Sequence, residues 1–160
     1  RLILPVGYDS LIVKRMVNKI NEKEKFLKLS DGAMLLLEKL KKQKYCLGII
    51  TNYNIDVDLI LKKLEIFHYF DTIVSTFKTG LRKPSIDIFN KAIALSDYRS
   101  SQCAMIGDRL DNDIRPAKRI GMPVTIRFTN SMYGLQEPRN ENEIPSYTVS
   151  NLSEISNIFT

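Results

Sequence analysis

The sequence predicts a doubly wound parallel α/β sheet. Short apolar runs alternate with stretches of helical periodicity from residue 33 onward. The runs carry apolar residues on both faces, as parallel strands covered by helices on both sides do. Polar residues then collect just beyond the runs, as Thr51-Asn52, Lys83-Pro84 and Asp108 to Asp113. In such sheets the functional crevice lies past the carboxyl ends of the strands.

The elements follow in order. Residues 10–27 place Leu11, Ile12, Met16, Val17, Ile20 and Phe26 or Leu27 at near-helical spacing, which predicts an amphipathic helix. Ser30 or Asp31 is positioned to cap the next helix, through "AMLLLEKLKK". "YCLGII" reads as a central strand ending at "TNYN". "DVDLILKKLEI" is helical, "DTIVST" a strand, "SIDIFNKAIAL" helical and "QCAMIG" a strand. "IRPAKRIG" is a short helix closed by Gly121, and "PVTIRF" is a strand. A polar loop from Thr129 to Ser146 leads to a short strand, "YTV", and a last helix, "LSEISNIF". Parallel strands joined by helices of this length imply right-handed crossovers.

A chain of 160 residues is large enough for one buried core. No apolar stretch reaches the ~20 residues of a spanning helix, and "RLILPVGYDS" is too short in its apolar part for a signal peptide. Membrane association is therefore not expected. Cys46 and Cys103 both lie in apolar runs, which predicts buried free thiols and a cytoplasmic setting. The net charge of +6 comes largely from lysines in "NKINEKEKFLK" and "EKLKKQK", read as solvated helix faces. No aromatic-basic platform supports a nucleic-acid partner, so the charge implies only a mild bias toward anionic substrates. The one histidine, His68, lies in "LEIFHYFDTIV" and reads as a surface or packing residue, with Phe67, Tyr69 and Phe70 packing beside it.

Each polar cluster has two readings. Thr51-Asn52 at a strand-to-helix turn suits a phosphate contact or a plain helix cap. Lys83 is held extended by Pro84 ahead of a helix start, as an anion ligand or a solvated lysine. In "AMIGDRLDNDI", three aspartates and an asparagine occupy positions 108 to 113. Asp113 suits an ordinary N-cap; Asp108 with Asp113 across a glycine turn suits a hard cation, since crowded carboxylates repel unless something relieves them. Mg²⁺ takes one or two carboxylates and keeps water and phosphate oxygens as its other ligands. A hydroxyl, a lysine and a carboxylate pair on one sheet edge supply what phosphoryl transfer needs.

"LGIITN", "GLRKPSIDIFNKAI" and "MIGDRLDNDIRPAKRIGM" resemble, in order and spacing, the second, third and fourth motifs of the haloacid dehalogenase-like hydrolases. "SDGAMLLLEKLKK" is similar to the segment leading into the second motif, and the match covers about residues 30–128. The tail "LQEPRNENEIPSYTVSNLSEI" looks like the end of a phosphatase-like branch. The resemblance implies a Mg²⁺-dependent hydrolase of a small phosphomonoester, such as a nucleotide or sugar phosphate. It implies that Thr51 hydrogen-bonds the transferring phosphoryl group with Asn52 beside it. Lys83 would steady the nucleophile and the phosphoryl charge. Asp108 would bind Mg²⁺, Asp113 would complete or orient the metal site, and Asn112 would support it. Pro116 stands where many relatives have glycine.

The family opens with an Asp-x-Asp-x-Thr/Val motif, whose first aspartate becomes phosphorylated and whose second is the general acid/base. The 160 residues contain no such motif. Nearest is Asp9 in "LILPVGYDSL", but Leu11 stands at the second aspartate's place and Pro5 disfavours a central strand. Residues 1–29 then read as the end of a helical cap and residues 30–160 as the α/β core. Without the first strand, the sheet is expected to be unpaired between the strands ending at Thr51 and Gly107. Losing the nucleophile costs about a millionfold where such losses have been measured in other enzymes, so a chain that begins at Arg1 is expected to be nearly inert. That leaves a phosphate- and metal-binding module without chemistry as the alternative. Dehalogenation needs no Mg²⁺ and leaves the acidic pair without a purpose.

Overall fold

The computed structural model describes residues 28–159. The helix expected over residues 10–27, and all but the last two residues of the expected cap segment, lie outside the described residues.

Helix α1 (Ala33–Lys42) turns Leu36 and Leu40 inward. Its start corrects the expected cap. Gly32, at φ 79°, is the N-cap, and no side chain caps the helix. The Ser30 carbonyl instead accepts the Ala33 N–H at 3.0 Å, a turn that a glycine in the left-handed region permits. Strand β1 (Gly48–Thr51), helix α2 (Val57–Lys63), strand β2 (Thr72–Ser75) and the single-turn α3 (Thr76–Thr79) follow. Asp56 caps α2 by accepting the Asp58 N–H, and Ser85 caps α4 (Ile86–Leu95) by accepting that of Asp87. Then come β3 (Ala104–Gly107), α5 (Arg115–Arg119), β4 (Val124–Phe128), β5 (Tyr147–Val149) and α6 (Leu152–Ile158). Gly121, at φ 84°, closes α5 as expected.

Every strand pairing is parallel. Among the described residues the strands form two sheets, β1-β2 and β3-β4-β5, with no ladder between them. Among the described residues no strand lies between β1 and β3; Ile49 and Ile50 of β1 are half-buried, and Ile106 of β3 is 38% exposed.

Helices cover both faces. On one, α4 and α5 pack Ile88, Phe89, Ala92 and Ala117 against Val74 and Met105. On the other, α1 and α6 set Leu36, Leu40 and Ile155 against Ile126 and Val149, while Val57 and Leu61 of α2 pack over Ile49 and Ile73. This three-layer order aims all the strand ends at one edge.

The cysteine expectation is corrected. Cys46 is exposed, because it precedes β1 at the far edge, and Cys103 is half-buried; both are free. The lysines of α1 are only partly solvated, since Lys41 pairs with Asp71 at 2.8 Å and Lys39 donates to the Ser156 carbonyl. His68 is exposed and lies against Tyr69, 4.2 Å between ring centroids, away from the strand-end edge. Among the described residues no helix is long and apolar enough to cross a membrane.

Candidate active site

Thr51 is the last residue of β1, so its side chain sits where the strand opens onto the edge. Its Oγ1 accepts the Tyr53 N–H at 3.3 Å, a local turn that leaves the hydroxyl proton free to donate outward. Asn52 lines the cleft and has a further task. Its Oδ1 accepts the Lys83 N–H at 2.7 Å and its Nδ2 donates to the Lys83 carbonyl at 3.0 Å. Both ends of the amide thus fix the Lys83 backbone, and one N–H and one lone pair remain.

That clamp aims Lys83 at the acidic turn. Its Nζ lies 2.5 Å from Asp113 Oδ1, and the two side chains are 15% and 3% exposed. An ammonium has three donors, so two remain for an anion in the cleft.

The acidic cluster is built differently from its sequence reading. Residues Leu110–Ile114 form one wide helical turn in which the Arg115 N–H donates to the Leu110 carbonyl, ahead of α5. Asp113 is inside this turn and is no helix N-cap. Its Oδ2 accepts the Arg109 N–H at 3.0 Å. Gly107 allows the approach: a Cβ there would lie 2.4 Å from Asp113 Cβ. Asp111 is bound by Arg109, whose Nε and Nη2 donate to its two oxygens at 3.0 and 2.8 Å. That fork holds the Asp111 carboxyl at a pKa of about 2, against the upward pull of burial and helped by the Gln136 amide. The Arg109 guanidinium is pushed up in return, chiefly by the same hydrogen bonds.

The expected mutual repulsion of the carboxylates is therefore largely relieved by protein cations. Asp113 has Lys83 and Asp111 has Arg109. Asp108, half-buried, is the carboxylate of this turn without a hydrogen-bond or ion-pair partner among the described residues. Asp108 with Asp113 still fits Mg²⁺, which takes one or two carboxylates and otherwise keeps water and phosphate oxygens. Among the described residues no group of three or more His, Cys, Asp or Glu could hold a metal ion.

The rim is closed by the polar loop after β4. Buried Arg127 reaches back from β4, and its Nη2 donates to the carbonyls of Tyr133, Gly134 and Gln136. Tyr133 then lies under the Arg109 guanidinium, 4.5 Å from its ring centroid. Gln136 Oε1 accepts the Leu110 N–H at 2.9 Å. Farther along, Glu143 is fully buried between Arg115 and Arg139, which holds its carboxyl below the usual range.

A cleft of about 570 Å³ opens at this edge. Thr51, Asn52, Lys83, Asp108, Asn112 and Asp113 all line it, so the structure brings every site residue expected from the sequence together. It also adds Tyr53, Arg82, Arg109 and Tyr133. Arg82 and Arg109 adjoin the motif residues and were visible on that ground alone. Tyr133 carried no local signal, because it reaches the cleft only through Arg127 and Arg109.

The fold and cleft define a Rossmann-like α/β core with a polar cleft at one edge of its sheets. The family model of the haloacid dehalogenase-like hydrolases matches residues 7–126, and the chain belongs to that family. It is 29% identical to a glyceraldehyde 3-phosphate phosphatase of Methanopyrus kandleri, over 98% of this chain and 69% of that protein. A second, from Methanocaldococcus jannaschii, is also 29% identical, over 94% of this chain and 65% of its own length. Among solved structures, a HAD phosphatase from Thermococcus onnurineus superposes with a TM-score of 0.74 at 25% identity, over 88% of this chain and 62% of its own. The chain thus spans about two thirds of the length of these proteins.

Proposed function

We propose that the chain is the core of a Mg²⁺-dependent phosphatase acting on a small phosphomonoester. Hydrolysis proceeds through an aspartyl-phosphate intermediate whose carboxylate lies outside these 160 residues. The observation that carries this reading is the convergence of Thr51, Lys83, Asp108 and Asp113, from separate segments, on one cleft. The phosphatase names of the relatives, two of them acting on glyceraldehyde 3-phosphate, favour a small phosphorylated substrate over a halide.

The Thr51 hydroxyl donates to a non-bridging phosphoryl oxygen. Lys83, oriented by Asp113 and clamped by Asn52, gives its remaining N–H groups to the phosphoryl oxygens and the attacking carboxylate. These donors are held in place before the reaction, so little reorganisation is needed as charge develops. Asp108 and Asp113 hold Mg²⁺, which supplies Lewis-acid neutralisation of the phosphoryl charge. Asn112 supports that turn, and Tyr53 and Tyr133 flank the organic part of the ester.

The test is phosphate release by the full-length protein from a panel of small phosphomonoesters, with and without Mg²⁺. Asp108→Asn should abolish the Mg²⁺-dependent activity, a loss of at least a thousandfold. Retained Mg²⁺-dependent turnover in that variant would sink the assignment.

A further inference from the structure

The cleft carries three cations, and two are neutralised from within the fold. Lys83 is held by Asp113, and Arg109 is held by Asp111 and stacked on Tyr133. Arg82 is the third. It is exposed, it lines the cleft, and its guanidinium has no hydrogen-bond or ion-pair partner among the described residues. Its backbone is nevertheless anchored. The Arg82 carbonyl accepts the Ser85 N–H at 3.0 Å, and the next residue is gripped at both its N–H and its C=O by Asn52. A long cationic side chain thus projects from a fixed base at the mouth, which lowers the ordering cost of binding through it.

We propose that Arg82 is a specificity-determining residue that anchors a second anionic group on the substrate, a carboxylate or a second phosphate. The inference rests on the phosphatase reading and deepens it. The phosphoryl group is served by Thr51, Lys83 and the Asp108–Asp113 pair, so Arg82 is left for another part of the same molecule. Its planar fork matches a carboxylate or phosphate through two parallel hydrogen bonds, a geometry that an ammonium cannot reproduce. Arg82 and Lys83 line the same cleft, so one small ester can meet both cations. Tyr53 and Tyr133 also line the cleft.

The experiment measures kcat/KM of the full-length protein with Mg²⁺ for three esters of one size class: ethyl phosphate, phosphoglycolate and ethylene glycol bisphosphate. The wild type should prefer one of the doubly charged esters to ethyl phosphate by tenfold or more. Which of the two is preferred tells carboxylate from phosphate. In Arg82→Ala that preference ratio should fall by about 10–100-fold, mainly through KM, as expected for losing hydrogen bonds between charged groups. Arg82→Lys should recover only part of it. A wild type without preference, or a ratio unchanged in Arg82→Ala, overturns the proposal. If the wild type hydrolyses none of the three, the phosphatase reading has failed. Calorimetric binding of phosphoglycolate and ethyl phosphate with Mg²⁺ then decides the role of Arg82. A tenfold preference that Arg82→Ala removes upholds the role, and equal or absent binding overturns it.

Discussion

Gly107→Ala tests the architecture of the acidic turn with a single methyl group. The added Cβ would lie 2.4 Å from Asp113 Cβ, 2.6 Å from its Cγ and 2.7 Å from its Oδ2. Carbon atoms settle at about 3.5–4.0 Å, so Asp113 must retreat by about 1 Å. It is held on both sides, by Lys83 Nζ at 2.5 Å and by the Arg109 N–H at 3.0 Å. A shift of that size breaks or badly stretches both bonds. Losing hydrogen bonds to a charged group costs about 1.5–3 kcal/mol each, partly recovered because the Lys83 side chain can turn to water. The expected net loss is about 2–4 kcal/mol, or a fall in Tm of roughly 5–15 °C for a protein of this size. Gly80→Ala is the control. Gly80 has φ 71° but nothing within 4 Å of its Cβ position, so that substitution costs only about 1–2 kcal/mol of backbone strain. Thermal unfolding by circular dichroism, paired with Mg²⁺-dependent hydrolysis by the full-length protein, reads both effects. Gly107→Ala should lose stability and activity together, while Gly80→Ala should lose only stability. A Gly107→Ala protein with wild-type Tm and activity would show that Asp113 does not pack on Gly107, and the geometry of the turn would be refuted.

Two further outcomes follow from the rim and the ion pairs. Gly134→Ala would set a Cβ 2.1 Å from the Thr129 carbonyl oxygen, which must force open the loop tied to Arg127. A loss of about 1–3 kcal/mol is expected, with perturbed Tyr133 ring signals by NMR; unchanged Tyr133 signals would contradict it. The Asp111 carboxyl is lowered to about 2 by Arg109. A folded pKa below the unfolded value, about 3.9, means that its stabilising contribution is full above pH 4 and is lost as pH falls through 2. Asp111→Asn should therefore flatten the Tm-against-pH curve between pH 4 and 2, and parallel curves for the two proteins would show that the pair is not formed.

The sequence by itself determined the order of the main helices and strands from Ala33 to Ile158, though not the single turn α3 or the wide turn Leu110–Ile114, because apolar periodicity and glycine or serine punctuation are written locally. It also singled out Thr51, Lys83, Asp108 and Asp113, and all four line one cleft. Three matters were decided only by tertiary structure. The crowded aspartates looked self-repelling in sequence, yet Asp113 is neutralised by Lys83, 30 residues away, and Asp111 by a guanidinium two residues away that Tyr133 positions. Asn52 also clamps a distant backbone, at the N–H and the carbonyl of Lys83, which its neighbours in sequence do not announce. Cys46 looked buried because its neighbours are apolar, whereas its side chain lies at the exposed start of β1. Each of these depends on which charge, donor or surface stands opposite in space. A linear pattern records what a residue is and how its neighbours repeat, but a charge's energy is set by what surrounds it once the chain has closed.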